Sequence, residues 1–271
     1  LSLKEAGRYL RLLGSFARFG LNREMAFRGN FLIKIVVEVL WLGMLLVFYA
    51  TVFQQTSVVA GWSPWEYFFF LGCYYSLEAT MEVFFLGNCS EFSELIRTGD
   101  LDFYLLQPID EQFLISCRNV EWSSLPSVFL GIGIMVVALG RIGWAFHPGQ
   151  LFIFVFLWTS GVALAYSFML LLTSMSVWMV RNQSLYELWW LVMSLMRYPR
   201  KIFSATWFEP FSIFFTFIVP VMLVVNVPAE TMVKVFDPRL ALYTIAATAI
   251  TLWISRKVFR AALSRYRSAS S

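Results

Sequence analysis

The chain has 271 residues, 59% hydrophobic and only 14% charged, with mean hydropathy +0.69 and a formal net charge of +4. Soluble domains carry about 25% charged residues, so an ordinary soluble enzyme or nucleic-acid-binding module is excluded and a membrane protein is indicated. Three scattered cysteines (Cys73, Cys89, Cys117), none in a CxxC pair, and a single histidine, His147, support neither a disulfide framework nor a metal site.

The N-terminal segment, residues 1–29, is amphipathic. Lys4, Arg8, Arg11, Ser15, Arg18 and Asn22 recur at spacings of three and four and form one polar stripe. Leu10, Leu13, Phe16, Ala17 and Leu21 occupy the other faces, a pattern suited to a helix lying in the membrane plane against anionic headgroups. The first long apolar run starts near Phe31 and is too long for a signal-peptide core.

A membrane-spanning helix needs about 20 apolar residues. Six such spans are expected, at about 31–53, 65–87, 120–139, 150–178, 208–227 and 239–256, with Asp237-Pro238 capping the last. Six spans place both termini on one side. That side collects 17 of the 21 Lys and Arg residues, against three on the other and Lys34 within span one. The excess makes it cytoplasmic. Residues 183–201 have an apolar core too short to span and are expected to lie at the cytoplasmic interface; 257–271 form a basic cytoplasmic tail.

Lys34, Glu38, Glu78 and Glu82 fall within apolar spans, where each needs a partner or water. Glu78 and Glu82 share a helix face with Tyr75, and Glu121 opens span three at the same side. Two meanings are open for this set. Lys34 pairs with Glu38 or Glu82 and locks spans one and two, or the group forms an acidic, cytoplasm-facing vestibule for cationic or amphipathic cargo. Gly161 and Ala165 offer a small-residue surface for close helix packing.

No GxxxxGK phosphate loop, HExxH, GxSxG or CxxC occurs, so no catalytic residue and no metal ligand is assigned and no cofactor is expected on this chain. Any uphill work must draw on a partner chain or an ion gradient. Residues 88–118 are the remaining feature. Glu91 to Arg97 reads as a short helix stopped by Gly99, and Asp100 caps a second one whose Leu101, Leu105 and Leu106 form an apolar side before Pro108. Two short stapled helices make a better docking element than a solvated loop.

The segment IRTGDLDFYLLQP, Ile96–Pro108, resembles the stretch between spans two and three of bacterial ABC-2 type transporter permeases. Gly99, Asp100, Leu101, Asp102, Leu105, Leu106 and Pro108 match the G-[DE]-L-D-x-x-L-L-x-P signature of one subfamily. MRYPRKIF (Met196–Phe203) and FTFIVPVMLVVNVPAETM (Phe215–Met232) resemble it too, as do the basic N-terminal helix and the tail. The short, polar outer loop at Asn226–Asp237 departs from relatives with larger outer elements.

The resemblance implies an all-α polytopic membrane protein with six spans, an N-terminal interfacial helix and a cytoplasmic coupling helix at about Cys89–Thr98. It implies an exporter of the bacterial inner membrane, working with two copies of an ATP-binding-cassette ATPase, which carry ATP and Mg, and with a second permease subunit that is often a different chain. Glu91, Glu94, Arg97, Gly99, Asp100, Leu101 and Asp102 are then the ATPase-coupling residues. A gradient-driven or purely structural membrane subunit is the competing expectation.

Overall fold

The computed structural model describes residues 3–178, 183–204 and 209–266. Every regular element among them is helical, apart from one isolated bridge between Val59 and Trp62. Thirteen α-helices follow in chain order. They are α1 (Leu3–Met25), α2 (Arg28–Gln55), α3 (Pro64–Met81), α4 (Gly87–Ser90), α5 (Phe92–Thr98), α6 (Leu101–Leu105), α7 (Glu111–Cys117), α8 (Leu125–Ile142), α9 (Pro148–Met175), α10 (Gln183–Met196), α11 (Glu209–Ile213), α12 (Leu223–Val233) and α13 (Pro238–Arg265). A π-helical turn, Glu82–Leu86, joins α3 to α4.

Among the described residues three helices are long and apolar enough to cross a membrane: Arg28–Gln55, Trp122–Ile142 and Pro148–Met175. A bent pair, Glu209–Ile218 with Pro220–Val233, would make a fourth. Helices satisfy their own backbone polar groups, the condition for crossing hydrocarbon.

At the centre stands α3, aromatic and buried from Tyr67 to Leu77 except for the half-buried Phe68. Small residues let its neighbours approach. A Cβ on Gly72 would lie 2.8 Å from Gly131 O on α8, and one on Gly131 would lie 2.6 Å from Ser76 N. Gly161 on α9 meets α12 as closely, a Cβ there being 2.4 Å from Val224 O, and Ala165 one turn on is fully buried. The expected small-residue surface is thus a packing surface. By contrast α2 is peripheral: only Leu42 and Tyr49 along it are buried.

Two expectations change. A continuous span over 208–227 is broken at Val219–Pro220, where the helices on either side differ in direction by 78°. Pro220 has no N–H to give the ladder and pushes Val219 out of helical geometry (φ −112°, ψ 85°). Nor do residues 183–201 lie along the end of the bundle that carries α5–α7, the basal end. Val177, after α9, still packs on that end. In α10, Trp189, Val192, Met193 and Met196 are buried in the main core. Arg200 N then donates to Asn226 Oδ1 at 2.9 Å, and its guanidinium lies 3.6 Å from Glu230 on α12. Hydrogen bonds beyond the helix end match the polar groups there, which a count of apolar residues does not register.

Three local expectations hold. Gly99 stops α5, the Asp237 carboxylate caps α13 by accepting from Arg239 N and Leu240 N, and α1 is one long helix. Residues 257–265 of the expected basic tail continue α13, with Phe259 and Ala262 buried, and residues 267–271 lie outside the described residues.

Filling a tight helix contact costs typically about 1–3 kcal/mol. Gly131→Leu is therefore expected to lower the thermal unfolding midpoint in detergent markedly. Gly133→Leu, two residues away with open space around its Cα, leaves it near the original value.

Candidate coupling surface and intramembrane polar clusters

The basal end is built around one apolar cluster. Phe92 and Leu95 of α5 and Leu101 of α6 meet Ile115 of α7, Leu170 of α9 and Phe259 of α13, all buried. Phe92 and Phe259 rings lie 5.8 Å apart. The turn between α5 and α6 depends on Gly99, whose φ of 81° suits glycine. Asp100 stands at the N-terminus of α6 without capping it; its Oδ2 lies 2.8 Å from Thr98 Oγ1. One face of the hairpin is thus fused to α9 and α13. The other is free: Glu94, Arg97, Asp100, Phe103 and Leu106 are exposed, the last two at 69% and 82%. Arg97 Nε donates to Glu94 Oε2 at 2.8 Å, and this bond holds the Glu94 carboxyl below its usual range.

The expected coupling residues therefore divide. Glu94, Arg97 and Asp100 face outward, and Asp102 is half-buried. Leu101 is fully buried and shapes the hairpin from inside. Glu91 forms an ion pair with the buried Arg118, whose guanidinium also lies 4.9 Å from the centre of the Tyr104 ring. Phe103, exposed at the tip, and Arg118, the clamp beneath it, were not singled out from the sequence. The spacing of Phe103 from Leu106 was the available signal for the first; nothing local marks the second.

Further clamps tie the hairpin down. Arg8 Nη2 donates to Pro108 O at 2.6 Å, Asp110 N donates to Tyr9 OH at 3.2 Å, and Tyr9 packs edge-on against Phe113. Arg256 on α13 donates to Asp110 Oδ2 at 2.6 Å, and Tyr166 on α9 bonds both Ser116 and Gln112. So α1 docks on the coupling region as well as presenting a basic stripe. Burial pushes the thiol pKa of Cys89 up to about 11 and of Cys117 to about 12, so both are neutral thiols near pH 7.

The charges on α2 and α3 pair differently from the expected lock. Lys34 forms its ion pair with Glu121, not with Glu38 or Glu82. The cause is the linker before α8, which folds back under the bundle. Glu121 N donates to Val83 O at 2.9 Å, and Glu24 accepts from Trp122 N (2.7 Å) and Ser123 N (2.8 Å). Glu38 accepts from Tyr75 OH at 2.9 Å and lies 3.4 Å from Ser127 Oγ. Glu78 accepts from Tyr74 OH at 2.8 Å, and the Arg197 guanidinium covers that ring at 5.3 Å. Glu82 forms no ion pair among the described residues and lines a cavity of about 550 Å³ with Arg23, Lys34, Glu91 and Glu121. No group of metal-binding side chains occurs among the described residues.

Over residues 39–270 the chain matches the family model described as ABC-2 family transporter protein. The chain belongs to the ABC-2 transporter family. Comparison with curated proteins and with solved structures gave no match. This ABC-2 chain is the membrane-embedded component of an ABC transporter, a component that associates with an ATPase subunit. The hairpin at 92–105, buried on one face and exposed on the other, holds five of the seven residues that carried the sequence resemblance, with Leu106 and Pro108 just after it.

Replacing Arg197 by Leu leaves Glu78 with Tyr74 as its neutral donor. The Tyr74 hydroxyl loses the Arg197 Nη2 donor at 3.5 Å, and leaving a buried polar group without a partner costs about 1–3 kcal/mol. The unfolding free energy of Arg197→Leu is expected to fall by about that amount, read as a lower thermal midpoint. The double variant with Glu78→Gln is expected to recover part of the loss, because the amide carries no charge to strand.

Proposed function

We propose that the chain is the permease subunit of an ATP-driven exporter in a bacterial inner membrane, and that the α5–α6 hairpin receives the motion of a separate ATPase. The observation that carries this is the two-sidedness of the hairpin. Its inner face is buried against α9 and α13, while Glu94, Arg97, Asp100, Phe103 and Leu106 are exposed together. An exposed apolar pair ringed by charges has the composition of a docking patch. ATP and Mg bind to the partner; this chain supplies the lever. By the family pattern the complex holds two ATPase copies and a second, paralogous permease, and export is the direction.

In this arrangement α10 with its following turn makes the fifth crossing, and 209–233 dips in and returns to the side it left. Both termini are then cytoplasmic, as with six simple spans. Moving Arg197, Arg200 and Lys201 off the cytoplasmic side leaves 14 basic residues there against six opposite, so the charge bias keeps its sign. Glu38, Glu78 and Glu82 outnumber the cations near them and favour a cationic or amphipathic cargo.

The test is a pull-down in mild detergent from the native cell, with mass spectrometry and an ATPase assay. The original chain is expected to bring down an ATP-binding-cassette subunit. A Phe103→Asp, Leu106→Asp variant is expected to lose it by about tenfold or more, since central interface residues carry most of the binding energy. Asp100→Ala with Asp102→Ala weakens the complex less. A stable complex with no ATPase would overturn the proposal and favour a gradient-driven or structural subunit.

A further inference from the structure

On the side of α2 facing α8 lies an apolar groove of about 1130 Å³. Leu21, Phe31 and Trp122 line its basal end, Ala50, Trp65 and Phe68 its far end, and no charged residue among the described ones lines it. From Phe31 to Val47 the α2 wall runs about 24 Å at 1.5 Å per residue. That is most of the roughly 30 Å of a bilayer's hydrocarbon, enough for an acyl chain of one leaflet. The groove is preformed, because α2 is held to α3 near both ends of its length. Tyr49 and Tyr67 rings lie 4.8 Å apart near one end, and Glu38 holds Tyr75 nearer the other.

Phe31 lines this groove and also the polar cavity containing Arg23 and Glu82, so the two spaces adjoin. Most charges in that cavity are spent within the chain. Lys34 pairs with Glu121, Glu91 pairs with Arg118, and Glu24 holds two backbone N–H groups. Two are not. Glu82 forms no ion pair among the described residues, and Arg23 reaches Asn119 Oδ1 at 3.4 Å as its hydrogen-bond partner. Glu82 and the exposed Arg23 thus stand without an ion-pair partner among the described residues, beside a chain-length apolar groove.

We infer that this composite space binds one phospholipid whose headgroup carries both a phosphate and a free ammonium. The phosphate meets Arg23, the ammonium meets Glu82, and an acyl chain lies between α2 and α8. A purely anionic lipid leaves Glu82 unmatched; a detergent or sterol leaves both charges unmatched. The inference needs the chain to be membrane-embedded and does not depend on ATPase coupling.

Two variants separate the halves of the site. Gly133 lines the groove, and a Cβ added there would meet nothing within 4 Å, so Gly133→Trp fills the groove with little disturbance of the fold. Glu82→Gln removes the ammonium partner. The experiment is native mass spectrometry of the chain, with its co-purifying subunits, after a long detergent wash. The delipidated protein is then titrated with phosphatidylethanolamine or phosphatidylglycerol. The original is expected to retain about one phosphatidylethanolamine per chain, and Gly133→Trp to lose it while keeping its melting midpoint. Glu82→Gln is expected to reduce the preference for phosphatidylethanolamine about tenfold, the scale of one charge-assisted hydrogen bond. Lipid retention without headgroup preference, or unchanged in both variants, would overturn the inference. So would an efficient cross-link from Gly133→Cys to a second permease, which would give the groove to a protein helix.

Discussion

A carboxylate in hydrocarbon has no water to fall back on, and α3 with the π-helical turn after it carries Glu78 and Glu82 through the bundle's basal half with Glu38 facing them from α2. Much of the architecture answers this constraint. Tyr74 and Tyr75, adjacent in sequence, point to different partners and serve Glu78 and Glu38 respectively. Arg197 arrives at Tyr74 because α10 climbs into the core instead of lying flat. The linker before α8 folds back to bring Glu121 to Lys34. Two apparent irregularities, a short helix that does not stay at the surface and a loop tucked under the bundle, thus supply partners to charges that the membrane would otherwise penalise.

The same economy shapes the basal end. Arg118 is 8% exposed yet charged, and it is kept by Glu91 on one side and the Tyr104 ring on the other. Arg256 binds Asp110, and Arg8 binds Pro108 O. These contacts join α1, the α5–α7 region and α13, elements far apart in sequence. Removing one partner of such a pair costs more than the pair itself contributes. The hairpin is therefore held in one position relative to α9 and α13 despite its short helices.

Local signals were legible in the sequence and long-range azimuth was not. The helix stop at Gly99, the Asp237 cap and the long amphipathic α1 are set by a few adjacent residues, and each is seen where expected. Counting depth along spans one and two placed Lys34, Glu38, Glu78, Glu82 and Glu121 at neighbouring depths. It did not tell which faces meet, because rotation about a helix axis is decided by packing. Lys34 therefore chose Glu121. The apolar run in 183–201 is short, and length alone assigned it to an interface. The structure completes the climb with a turn whose polar groups are matched by Asn226 and Glu230, partners 26 and 30 residues downstream of Arg200. Pro220 was visible in the sequence, but a proline inside an apolar run marks a kink as readily as a reversal.

Where the protein can change shape follows from where it is tightly packed. The contacts of α3 with α8 and of α9 with α12 are made backbone to backbone through Gly72, Gly131 and Gly161, and leave little room for sliding. The regular helical ladder is loosened instead at two places, both π-helical: Glu82–Leu86, between α3 and the coupling region, and Phe214–Ile218, just before the break at Pro220. Such turns are common at functional sites. A contiguous path of contacts does not by itself couple two sites; an element with two arrangements is required. These two segments flank the rigid centre at its ends nearest the coupling region and the Pro220 break. Glu82 sits in the first of them and lines the cavity beneath α2. A rearrangement there shifts the Glu82 charge without unpacking the glycine contacts or the hairpin's apolar cluster, which makes the 82–86 turn the place where this fold admits a local change most readily.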